Sequence, residues 1–246
     1  MTTVDPPSPR GARIIVSPVP EAIATGPLLL TGGELPDAAA LAGRLLERGG
    51  GEVTVLPTAA AYERPERVLA AAEAAFGALG GRVRPVMVLT RRDAENPELA
   101  AAIRSARAIW LAGGSPLHLR SVLKNSLVLH GLEAAWHSGA AVAGAGEAAT
   151  ALSDPMVDPR GGAFTVGLGL VRALAVVPHF NGELTAQLRR TMAIAPPGCA
   201  LAALGERAAL VREVDGSWRR EGDSALELFV AGQPVGLEAL AGKPIG

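Results

Sequence analysis

The stretch Ala141–Leu152, AVAGAGEAATAL, decides the reading of this chain. Its first residues are apolar and small, its centre is a Gly-Ala-Gly turn, and its end has the spacing of a helix. A strand that runs through a sharp turn into a helix is the geometry that holds a nucleophile at the head of a parallel sheet. Here residue 146, at the apex, is glycine.

Outward from that turn, short apolar runs ending in Gly or Pro alternate with longer Ala/Leu/Arg/Glu segments of helical period. Strands are expected at Pro27–Thr31, Glu52–Pro57, Arg82–Leu89, Ala108–Leu111, Ala140–Ala143 and Leu174–Val177. Helices are expected at Asp37–Arg48, Arg64–Leu79, Pro97–Arg107, Pro116–Lys124, Leu127–His137, Gly146–Leu152 and Glu183–Ile194. This alternation implies an α/β fold, a mostly parallel, doubly wound sheet covered by helices on both faces. Functional groups in such folds gather at the carboxyl ends of the strands. Beyond residue 208 the texture changes: Ala208–Val214, a turn at Asp215-Gly216-Ser217, Trp218–Arg220 and Leu226–Val230 predict a C-terminal antiparallel hairpin.

The chain has 246 residues, 49% of them hydrophobic, and a net charge of -1, enough for one large core. One domain over 27–246 is expected, preceded by an N-terminal arm over 1–26. Balanced charge and only 3% aromatics argue against nucleic-acid binding. No apolar run is long enough for a membrane span, and a lone cysteine, Cys199, excludes an internal disulfide and fits a cytoplasmic location. No cofactor or metal motif is present. His118, His130 and His137 fall at spacings that match no zinc pattern and read as packing or surface residues.

Several stretches together carry a resemblance: LLLTGGELPD (28–37), GGEVTVLPTAA (50–60), AIWLAGGSPLHL (108–119), SDPMVDPRGG (153–162) and VVPHF (176–180), with the central turn. In that order they resemble peptidase family S51, the cyanophycinases and dipeptidases E, whose architecture is similar to that of class I glutamine amidotransferases. The resemblance implies hydrolysis of dipeptides or cyanophycin by a serine in a Gly-x-Ser-Ala-Gly turn. Laid on Gly144–Ala148, that turn puts Gly146 at the nucleophile position. His179 matches the family's catalytic histidine. Its acidic partner is expected at Asp154 or Asp158, although in one register the family's aspartate falls on Ser153.

The same resemblance places the pocket at Gly113, Gly114, Ser115 and Glu147, with Gly113-Gly114 lending an oxyanion N–H. The arginines that follow the histidine in cyanophycinases are missing from Asn181–Leu188. Glu147 would set a carboxylate where negative charge develops in acyl transfer. Loss of a serine nucleophile costs roughly 10⁶-fold in turnover, about 8 kcal/mol of barrier. These residues describe a catalytically silent relative whose pocket binds a small peptide or amino acid, with a homodimer as a further expectation. Two alternatives stand beside it: a hydrolase with a relocated nucleophile, for which Ser115, Ser138 and Cys199 are the candidates, and an inactive structural subunit. Gly32-Gly33 reads as a structural turn or an anion cradle.

Overall fold

The computed structural model describes residues 25–246. The expected N-terminal arm therefore lies, but for its last two residues, outside the described residues.

Strand β1 (Leu28–Thr31) is buried throughout. Leu28 and Leu30 enter one apolar core and Leu29 the other. An uninterrupted apolar run is what a strand covered on both faces requires. Helix α1 (Ala39–Gly49) stops where Gly50 takes a left-handed conformation, with φ 66°. β2 (Glu52–Leu56), α2 (Pro65–Ala78) and β3 (Arg82–Pro85) follow. The short α3 (Arg91–Ala94) and α4 (Pro97–Arg104) lead to β4 (Ala108–Leu111), and α5 (Pro116–Leu123) and α6 (Leu127–His137) lead to β5 (Ala141–Gly144). Serine starts both of the latter helices: Ser115 Oγ accepts the His118 N–H and Ser126 Oγ the Leu129 N–H.

Strands β1, β5, β4, β2 and β3 lie side by side in that order, all parallel. α1 and α2 bring Leu41, Leu45 and Phe76 to one face, and α4, α5 and α6 bring Ile103, Leu119 and Trp136 to the other. The doubly wound α/β fold is as the sequence implies. The third expected strand is shorter than its apolar pattern, ending at Pro85 instead of Leu89.

After α7 (Glu147–Leu152), the chain forms the two-residue strands β6 (Ser153–Asp154), β7 (Met156–Val157), β8 (Phe164–Thr165) and β9 (Val171–Arg172). Then come β10 (Leu174–Val177), α8 (Ala186–Ala193), β11 (Ala200–Leu204), β12 (Ala208–Arg212), β13 (Trp218–Gly222), β14 (Leu226–Val230) and β15 (Gln233–Val235). The hairpin expectation holds for β12 and β13, which pair antiparallel and join the first sheet through β1. β14 is antiparallel too, but its partners are β11 and β15, in a second, six-stranded sheet ordered β15-β14-β11-β10-β6-β9.

That second sheet turns on β11, which the sequence pattern hides. Its residues ALAAL are small and apolar without alternation. They are buried on both faces, with Ala200, Ala202 and Leu204 in one core and Leu201 and Ala203 in another. β10 and β11 run parallel, so their carboxyl ends emerge together.

A partly buried charge network fastens the hairpin to α1. Arg44 reaches Glu213 at 2.9 Å and also Glu221, and Arg219 bonds both carboxylates. Arg44→Ala leaves two carboxylates on Arg219 alone. It is expected to lower stability by about 1–3 kcal/mol, read as a lower urea midpoint with an unchanged slope.

Candidate functional site

Five segments meet at the carboxyl ends of the strands. From the first sheet come Gly32-Gly33-Glu34 after β1, Gly113-Gly114 after β4 and Gly146-Glu147 after β5; from the second come His179 after β10 and Gly205-Glu206 after β11. The join between sheets is a close approach of backbones. A Cβ on Gly33 would lie 2.3 Å from the Glu206 carbonyl oxygen, so no other residue lets the two turns touch. The His179 N–H donates to the Gly32 carbonyl at 3.0 Å, and the Gly32 N–H to Ala208 at 2.9 Å. Gly32-Gly33 is thus a seat for the Gly205-Glu206 turn.

Gly146 keeps the geometry of the sharp turn, with φ 49° and ψ -119°, a conformation costly to any residue with a side chain. A Cβ built there points into the site, 3.5 Å from His179 Nε2 and 2.6 Å from Glu34 Oε1. The structure thus brings residue 146 and His179 together. His179 itself sits at φ 58°.

The imidazole is held at both nitrogens. Nδ1–H donates to Glu206 at 2.8 Å and Nε2–H to Glu147 at 3.1 Å. The Glu147 bond, and then the Glu206 bond, outweigh the effect of burial and push the imidazole up to about 9. It is a doubly donating imidazolium at neutral pH, whereas a general base works best with a pKa near the operating pH. Burial opposes ionisation of Glu147, but His179, with the amides of Glu147 and Gly114, overcomes it and holds the carboxyl below its ordinary range.

Glu34 completes the cluster. Its Oε2 accepts the Gly113 N–H at 3.1 Å, and its Oε1 is buried with no hydrogen-bond partner. Burial raises its pKa to about 7 against the pull of the Gly113 amide, with Glu147 and Glu206 adding repulsion. Of the Gly113-Gly114 pair, from which the resemblance expects an oxyanion N–H, the Gly113 amide is thus taken by a carboxylate of the chain.

Asp154 does not partner His179. Its Oδ1 accepts the Gly167 N–H at 3.0 Å on the short β6, Asp158 is paired with Arg160, and Ser153 Oγ donates to Thr150. The carboxylates on the imidazole are Glu147 and Glu206. Glu206 was missed because β11, which delivers it, lacks strand periodicity; the usable signal was the Gly-Glu that ends an apolar run. The relocated-nucleophile candidates do not sit on His179 either. Ser115 caps α5, Ser138 ends α6, and Cys199 is buried, its thiol pushed up by that burial. The other histidines stand apart: His118 packs edge-on against Tyr62 and donates to the Leu89 carbonyl, His137 donates to Gly246, and His130 is exposed on α6.

Comparison with known proteins bears on family and fold. The family model of Peptidase family S51 matches residues 28–217. The chain belongs to peptidase family S51. None of the curated proteins searched matches it. Among solved structures, a peptidase from an acI-B1 Actinobacterium is 26% identical, with a TM-score of 0.74 over 86% of this chain and 96% of that one. A peptidase E-like protein from Listeria monocytogenes EGD-e is 18% identical, with a TM-score of 0.57 over 84% of this chain and 100% of that one, a likeness of fold alone. The matched residues 28–217 contain the five segments that form the site.

Two titrations check the electrostatics. The pKa of Glu34 is raised on folding, so its contribution to stability is full below the ordinary carboxylate pKa and is lost as pH rises towards 7. Glu34→Gln is therefore expected to stabilise the chain at pH 8 by about 1–3 kcal/mol, at ~1.4 kcal/mol per pKa unit as an upper scale, and to gain far less at pH 5, as read by denaturant unfolding. For His179 the raised pKa works the same way, with stability lost as pH rises through about 9. NMR of the ring should show imidazolium through neutral pH, and Glu147→Gln should move its midpoint down.

Proposed function

We propose that this S51 protein does not hydrolyse peptides and instead uses the family's pocket to bind a small peptide or amino acid. The observation that carries this reading is the Glu34–Gly113 bond beside Gly146: one carboxylate fills the space both for an attacking oxygen and for the oxyanion it would create. Catalysis of acyl transfer depends on donors aimed at developing negative charge. Here Gly113 is taken by Glu34, and the amides of Gly114 and Glu147 favour the ionised Glu147 carboxyl. The scaffold, the turn and His179 persist around them, and a shared fold does not carry activity with it.

Hydrolysis is the competing activity, because the actinobacterial neighbour is described as a peptidase. The test is an assay of the purified chain against Asp-containing dipeptides and β-Asp-Arg. No turnover is expected, and robust turnover by the unmodified chain overturns the reading. Gly146→Ser with Glu147→Ala is expected to stay silent, since a Cβ at residue 146 meets Glu34. With His179 Nε2 already released by Glu147→Ala, adding Glu34→Ala should open the hole to the serine and bring measurable hydrolysis.

A further inference from the structure

Two cavities meet at Glu147. The first, of about 380 Å³, is lined by Glu34, Glu147, Gly113 and Gly114 on its inner wall, with Glu63 and Arg67 at the rim. The second, of about 190 Å³, is walled by Val157, Val176, Val177 and Pro178, and it shares Glu147 with the first and is bounded also by His179. Leu35, Ala60, Val68 and Ala71 also line the first cavity, so Glu147 is a carboxylate bordered by apolar wall in both, an arrangement suited to an ammonium group with an apolar substituent.

Resting on the binding function just proposed, we infer that the site selects a small organic cation, a primary ammonium carrying a branched apolar group, and rejects the corresponding carboxylate. The inner wall holds Glu34 and Glu147, with Glu206 just behind His179, against the single charge of the imidazolium. At the rim, Glu63 and Arg67 are both exposed and of opposite sign. An entering anion meets Glu147 and Glu34, whose pKa is raised by burial first and by the neighbouring carboxylates second, and it finds the Gly113 amide taken. An entering ammonium finds acceptors, among them the unpartnered Oε1 of Glu34 once that side chain shifts. The apolar chamber then favours a substituent of the size of an isobutyl group over hydrogen, because its lining offers few polar groups to reward water.

Three probes separate charge from shape: leucinamide (cationic, apolar), glycinamide (cationic, without the substituent) and N-acetylleucine (anionic, apolar). Binding is measured by NMR titration of the full-length ¹⁵N-labelled chain at about pH 7, where the amine remains largely protonated. Leucinamide is expected to bind about tenfold or more tightly than either of the others, shifting the Gly113 and Glu147 amides. Glu34→Gln should weaken both amides of the cationic pair, leucinamide and glycinamide, whereas Val177→Thr should weaken leucinamide alone, by about threefold to tenfold. Equal or tighter binding of N-acetylleucine, no advantage over glycinamide, or no binding of leucinamide at millimolar concentration overturns the inference. Ammonia release from leucinamide is followed in the same samples. If the unmodified chain releases it while the binding order holds, the non-hydrolytic reading falls and the cation preference stands. If no ammonia appears and the binding order fails, only the preference falls.

Discussion

The site depends on the contact between the Gly32-Gly33 turn and the Gly205-Glu206 turn. Through it the first sheet, which carries Glu34 and Gly146, is fixed against the second, which carries His179 and Glu206. The His179 N–H to Gly32 bond and the Gly32 N–H to Ala208 bond fasten the same junction from both sides. A side chain at residue 33 would part the turns, and with them the imidazole from its Nδ1 partner. The electrostatics of the cluster are therefore set by backbone packing several bonds away.

From that junction follows an inversion of the usual charge layout of an acyl-transfer site. Such sites present N–H donors to an anion and leave the imidazole free to take a proton. In this chain carboxylates occupy the donors and hold the imidazole protonated. Buried carboxylates near one another raise each other's cost of ionisation, and Glu34 bears that cost while Glu147 is relieved of it by His179. The arrangement is stable because the groups are paired unequally: two share the imidazolium, and the third rests on a backbone amide.

The sequence made the first sheet legible because its strands are apolar runs buried on both faces and its helices carry capping serines and a terminal glycine. The elbow at Gly146 and its approach to His179 were legible for a different reason, the ordered resemblance of several short segments. What stayed hidden has one physical cause. β11 is built of small apolar residues that pack on both faces, so no period distinguishes it from a helix or a loop, and the second sheet, the placement of β14 and the role of Glu206 all follow from it. Asp154 was a plausible partner by position along the chain, but its short strand turns its carboxyl to Gly167. Glu34 lay within a quoted segment, yet nothing local shows that it folds back onto Gly113, a contact across 79 positions.

Glu34 also bears on how such a protein could change through descent. A single replacement that put serine at residue 146 would set its Cβ 2.6 Å from a buried oxygen, on a backbone already in a region that side chains avoid. A serine at residue 146 is therefore penalised unless residue 34 is altered as well. Residues 34 and 146 are thereby coupled through one carboxylate, so that what residue 146 can carry depends on what stands at residue 34.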